Sequence, residues 1–580
     1  MNLKPEIRRL NTRYLVRVLS NKPFSWVFLI SLFAFPTMLF GQSRNQEVTI
    51  IGQYQPTISD AFKINIAPSI KDTMVEMPNF TYFIQSNPIV TSYSIDPLEP
   101  VFLDIDPDEI LRRNYLRAGY GNYATPMVEF FTNSLRSDKF SLGFHAKHIS
   151  STGQIEDNAT SKYSKNDISL YAKRYLKNKV LSGKIYYKRD VVHYYGFNPA
   201  DIPSVEFSDD DLKQKFSLIG ANTGIESNYK RNKKLNYQAS LNFYNLSDIY
   251  ETSETFVGLK TNINGVKEYF NFVEEQELGA DFEINYYNNQ DSINSQGTLI
   301  SNLKPYLKIQ FDYFNLYLGV KGAVSADSST EFHIYPAIKA SYQVIPDYLR
   351  FYISASGGLD RNSYKSVTDI NPWVNPTIGQ KNTNTKYEIK GGVNGRLNML
   401  IDYNFSVSYA DVQDMLFFVN DYSPFSPETA LPTGVKFIGI YDDAQVTTVS
   451  AGLSYEQAKK LNIMFSADYR NYTLKQEAKP WHKPAFTATL GAKYFFTDKI
   501  SASGNLFYNS KIYALVSDGQ SELVAERDGF IDINLGAEYR FTDRISVFLN
   551  LNNITATRYY RWYNYPSQRF NMMGGVTFSF

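Results

Sequence analysis

Histidines, clustered carboxylates and aromatic rings are the groups in this sequence with chemistry to offer, and their spacing decides how much. The acidic stretches "DIDPDE" (104–109) and "SDDD" (208–211) hold hard oxygens of the kind a calcium ion takes. Neither carries a glycine-centred loop with a distant bidentate glutamate, so both read as solvated acidic loops. His145 and His148 stand three apart in an alternating segment and so point to opposite faces, while His193, His333 and His482 are scattered. No metal site is expected from them. Cysteine is absent, which removes thiolate ligands, thiol nucleophiles, disulfides and a lipid-anchored mature N-terminus. Hydroxyls, carboxylates and amines abound, but no local motif joins a nucleophile, a base and an orienting group, so no catalytic residue and no cofactor is assigned. The aromatic residues Tyr194, Tyr195, Phe197, Trp373, Trp481, Trp562 and Tyr563 fall in irregular segments. There they could stack on a ligand or grip a partner, or form an interfacial girdle.

The elements that hold these residues follow from hydropathy pattern. Lys4, Arg8, Arg9, Arg13, Arg17 and Lys22 precede the apolar run "WVFLISLFAFPTMLF" (26–40) and then Gly41 and Gln42, a secretory signal expected to be cut between those two. The run is shorter than the roughly 20 residues a spanning helix needs. Residues 42–112 hold Pro56, Pro68, Pro78, Pro88, Pro97, Pro100 and Pro107 and read as extended chain. Within them Glu47, Val48, Thr49, Ile50 and Ile51 form a short strand-like piece suited to adding to a partner's sheet edge.

From about residue 113 to 580 the sequence alternates. Thr447, Val449, Ala451, Leu453 and Tyr455 share one face, and Thr448, Ser450, Gly452, Ser454 and Glu456 share the other. Short polar turns such as "KNK" (177–179), "QAKK" (457–460), "TDK" (497–499) and "TDR" (542–544) alternate with longer irregular segments at 192–212, 359–383 and 413–443. That arrangement predicts an all-β transmembrane antiparallel barrel of about 22 strands, range 18–24, with short periplasmic turns and long outer loops. Aromatics make up 16% of the chain at a mean hydropathy of −0.34, as suits strands with one wet face. The 59 basic residues nearly cancel the 58 acidic ones, which gives no electrostatic case for nucleic acid. In the last strand Phe570, Met572, Gly574, Val576, Phe578 and Phe580 make the lipid row, and that strand must pair with "YLRAGYG" (115–121), because an open edge in lipid leaves backbone groups unsatisfied.

The final hairpin, "VFLNLNNITATRYYRWYNYPSQRFNMMGGVTFSF" (547–580), resembles that of TonB-dependent outer-membrane receptors, and "EVTIIGQYQPTISDAFKINIAPSIKD" (47–72) resembles the opening of a receptor-like sub-group. The resemblance implies a Gram-negative outer-membrane location, a receptor or transport role and a TonB-like energiser acting on residues 47–51. The terminal Val576, Phe578 and Phe580 resemble the signal read by the barrel-assembly machinery. Residues 42–112 are too short for the family's globular plug. A non-transporting scaffold or accessory subunit of an outer-membrane complex is therefore the alternative, with an enzyme a distant third.

Overall fold

The computed structural model describes residues 112–580 except 136, 154, 228–234, 267–274, 424–430, 459 and 518–520. The signal, its cut site at Gly41 and Gln42, the strand-like piece 47–51 and the acidic stretch 104–109 lie outside the described residues.

Among the described residues, 22 strands form one antiparallel sheet that closes on itself. Closure is made by the first strand, Asn114–Gly121, and the last, Asn571–Ser579. Tyr115 faces Ser579, Ala118 faces Val576 and Gly121 faces Met573, and Asn114 and Phe580 exchange backbone bonds of 2.9 and 3.0 Å. The carboxyl-terminal phenylalanine is thus part of the seam, and no backbone edge is left to lipid.

Alternation sorts side chains as a barrel wall requires. On the strand Ile401–Asn420, Phe405 and Val407 are exposed towards lipid, whereas Ser406 and Ser408 are buried on the inner side. The last strand does the same, with Met572, Val576 and Phe580 outward and Met573 and Thr577 inward. "TDK" and "TDR" fall between consecutive strands at one end of the barrel, where Lys177 and Asn178 of "KNK" and Ala458 of "QAKK" lie as well. The long loops leave from the other end.

The wall is uneven in height. Strands beside the seam are short, with 8 residues in Asn114–Gly121 and 8 in Ile545–Asn552, while Ile401–Asn420 has 20 and Phe437–Gln457 has 21. This corrects the reading of 413–443 as one irregular connection: the strands run to Asn420 and resume at Phe437, leaving only 421–436 as loop. "MLFFV" (415–419) is apolar throughout because both faces of this ribbon are covered beyond the membrane, so no wet row marks it as a strand. Likewise 192–212 contributes strand as far as His193, and 359–383 contains a strand end at Arg361, a helix Tyr364–Ile370 and a strand start at Asn382.

Candidate functional site: a dome over the loop end

The long loops meet in an apolar core. Tyr194, Tyr364, Val367, Val374, Phe437, Trp562 and Tyr565 are buried together in one cluster. Tyr194 follows the fifth barrel strand, Tyr364 and Val374 lie between the thirteenth and fourteenth, and Tyr565 lies between the last two. These connections leave a ring of 22 strands about a third of the way round from one another, and the ring is roughly 40 Å across. Side chains from walls so far apart can touch only if their loops reach over the mouth.

A triad of rings marks the crossing point. Tyr195 lies 5.7 Å from Trp373 and 4.9 Å from Tyr565, and Trp373 stacks on Tyr565 at 4.1 Å. Each polar tip finds a carbonyl: Trp373 Nε1 donates to His193 O at 2.9 Å, Tyr195 OH to Pro566 O at 3.1 Å and Tyr565 OH to Val435 O at 2.8 Å. Rings can be buried at this density only because their donors are satisfied. Burial drives the Tyr194 and Tyr565 phenols well above their ordinary value, so they remain neutral donors.

Two carboxylates hold the helix down. Ser363 caps it, its Oγ accepting from Ser366 N at 3.2 Å. Glu254, fully buried at the start of the strand Ser253–Val266, accepts from Tyr364 N at 2.5 Å, Lys365 N at 3.3 Å and Tyr244 OH at 2.7 Å. Asp248, six strands from the helix along the wall, accepts from Tyr364 OH at 2.7 Å and Gln214 Nε2 at 3.2 Å. Orphan helix amides are therefore met by charge from another part of the ring. Lys436 rests on the rings of Tyr250 at 4.7 Å and Tyr194 at 5.5 Å, and burial lowers its pKa.

The outer face of the tall ribbon is covered by loop 475–485. Asp442 Oδ2 accepts three successive amides, Lys475 N at 3.1 Å and Gln476 N and Glu477 N at 2.9 Å each. Trp481 packs on Phe417 and Val419, and its Nε1 donates to Glu477 Oε2 at 2.7 Å. His482 bridges this loop to the dome core through Phe418 O and Tyr563 N.

Among the residues singled out from sequence, Tyr194, Trp481 and Trp562 are buried and Tyr195 and Trp373 half-buried, all packed on other residues of the loop end. The structure brings Tyr194, Tyr195, Trp373 and Trp562 to one cluster and places Trp481 on the neighbouring one. Val576, Phe578 and Phe580 sit apart at the seam, where the last two rings stack at 4.8 Å. The carboxylates of 208–211 turn to nearby donors: Asp209 to Lys162 at 2.7 Å, Asp210 to Lys213 at 3.0 Å and Asp211 to Ser208. The Lys162 hydrogen bond holds Asp209 below the usual carboxylate range. His145 and His148 do face opposite ways, one to Glu129 at 3.0 Å and the other to Asn166 at 2.7 Å. Sequence reasoning missed Asp248, Glu254, Phe437 and Tyr565. Glu254 lies 110 residues from the amide it caps, so no local spacing links them.

A closed antiparallel barrel of this strand number, wet inside and apolar outside, defines the class of integral outer-membrane barrels. The chain belongs to the family described as TonB dependent receptor-like, beta-barrel, which it matches over residues 98–554. Its fold is similar to that of solved outer-membrane receptors. The FrpB iron transporter from Neisseria meningitidis has a TM-score of 0.61 at 11% identity, covering 81% of each chain. The ferric-catecholate import receptor Fiu from E. coli gives 0.60 at 11%, over 81% of this chain and 82% of that one. The pyoverdine outer membrane receptor FpvA from Pseudomonas aeruginosa gives 0.59 at 13%, over 81% and 78%. No curated protein sequence matches the chain.

Proposed function

We propose that this barrel is a closed outer-membrane platform, an accessory subunit of a larger assembly, whose loops form a fixed outer surface. The observation that supports this is the dome. Loops that would seize a ligand bury their rings in one another across the mouth. Exposing Tyr194, Tyr364, Phe437, Trp562 and Tyr565 costs roughly 10 kcal/mol at about 2 kcal/mol per ring. A ligand can open the dome only by binding the open form better by that amount, nearly the whole binding energy of a nanomolar ligand, about 12 kcal/mol. Residues 1–41 act as the signal, 42–112 as an extended leader with residues 47–51 as its docking strand, and Val576, Phe578 and Phe580 as the segment read during assembly. No enzymatic role is assigned.

The test is single-channel recording of the purified protein in planar bilayers. Wild type is expected to stay closed, and Trp562→Ala with Tyr565→Ala to conduct. A wild-type barrel that conducts steadily would sink the platform reading. A second reading, energised uptake, draws on the family and on the iron-receptor neighbours. There a periplasmic energiser pulling on the leader would supply the opening work, and ferric siderophore would raise hydrogen exchange in the dome.

A further inference from the structure

Below the dome, the inner wall carries a recess of about 490 Å³ that the function proposed above does not use. It lies where the sheet is interrupted. Pro305 has no N–H to give, and pairing between Ser295–Phe311 and Phe314–Ala326 jumps from Leu303↔Gly322 to Tyr306↔Gly319. Small side chains, Gly319, Ala337, Ser354 and Ser356, keep the neighbouring wall low. Leu303 and Leu318 on the same strands are exposed on the opposite, lipid face, so the recess opens into the lumen.

Its chemistry is specific. Tyr306 and Tyr317 stack at 5.1 Å, and the Tyr306 hydroxyl is committed to Glu277 at 3.0 Å. Lys304 and Lys308 are neutralised by Asp281 and Glu277, each at 2.8 Å. Lys339 lies directly across from Tyr317 on one side and Ser354 on the other. Among the described residues it has no carboxylate or hydrogen-bond partner, and neither do the hydroxyls of Ser354 and Ser356. The recess therefore offers one ring platform, one uncommitted cation and two uncommitted hydroxyls, beside the already ordered Asp281 and Asn262, which are 2.6 Å apart.

From this we infer that the recess binds an acidic saccharide. A sugar ring would lie against Tyr317, its acid group would meet Lys339, and its hydroxyls would bond Ser354, Ser356 and Asp281. The volume suits one or two sugar rings and falls within the ordinary range of small-molecule sites. Access is from the short-turn end, which is periplasmic in outer-membrane barrels: the turn joining the Tyr306 and Tyr317 strands is at 312–313. A periplasmic glycan bearing carboxylates is therefore the class of ligand the recess fits. This assignment rests on the inner wall and stands whether or not the dome opens.

The test is calorimetric titration of the full-length protein in detergent with N-acetylmuramic acid, with N-acetylglucosamine as the same ring without the carboxylate and lactate as the carboxylate without the ring. Saturable binding of N-acetylmuramic acid is expected. It should be about tenfold weaker in both Lys339→Gln and Tyr317→Leu and for N-acetylglucosamine with wild type, a tenfold change being about 1.4 kcal/mol. Both side chains face the lumen and neither closes the seam, so insertion should be normal, as heat-dependent gel mobility would report. Absence of saturable binding, binding untouched by both substitutions, or lactate matching the sugar would each overturn the saccharide assignment, the last by marking a simple anion site.

Discussion

Two hydrogen bonds dictate the protonation state of His482: Nδ1 donates to Phe418 O at 2.9 Å, while Nε2 accepts from Tyr563 N at 3.2 Å. A proton on Nε2 would face another N–H inside an apolar cluster, and burial lowers the pKa from its ordinary 6.5 to about 4. The folded value lies below the unfolded one, so the stabilisation is complete above about pH 6.5 and is lost progressively as pH falls towards 4. At stake is on the order of 3 kcal/mol. Acidifying from pH 7 to 4.5 should lower the hydrogen-exchange protection factors at 475–485 and 560–566, the intrinsic rate at each pH being divided out, and His482→Gln should remove most of that dependence. Protection factors flat over the interval would rule out His482 as a source of pH-dependent stability. None of this was legible in the sequence, where His482 is one of three scattered histidines. Its partners are 64 and 81 residues away.

The elements were readable in proportion to how wet they are. Alternation identified the membrane-spanning part of the wall, and the polar turns punctuated it, because lipid on one side and water on the other impose a period of two. Beyond the membrane the tall ribbon loses that signature. Leu416 and Phe418 pack into the dome, while Phe417 and Val419 pack under Trp481. The helix Tyr364–Ile370 was hidden for a different reason: its 7 residues are too few to show a helical period. Phe437 begins the returning strand and touches Trp562, Tyr565 and His482 at 5.5, 5.8 and 5.4 Å. Phe437→Ala should cost about 3–5 kcal/mol of dome stability, read as protease cleavage within 194–212 at a rate wild type does not show. The barrel itself should survive, since the seam and wall pairings do not involve that ring. Cleavage confined to 421–436 would mean that the loops fold separately rather than as one dome.

At the scale of the whole molecule, closure depends on the pairing of Asn114 with Phe580. The role of the terminal residues in assembly is a hypothesis that Phe580→Asp tests. A charge near the interface costs only about 0–1 kcal/mol in a finished barrel, so a large fall in membrane insertion would have to come from lost recognition, and equal yields of variant and wild type would refute the role. Strand number and closure were legible from the chain ends and turns, whereas the dome was not, because it is made of contacts between distant loops. The unequal wall has a consequence for the surrounding lipid. Strands of 8 residues, tilted, reach roughly 20 Å, below the roughly 25 Å apolar band of outer-membrane barrels. Acyl chains beside the seam must shorten to match it, at fractions of a kcal/mol per ångström. That strain is relieved when another low-walled protein takes the place of lipid there. The seam flank is thus the side on which the bilayer itself favours company.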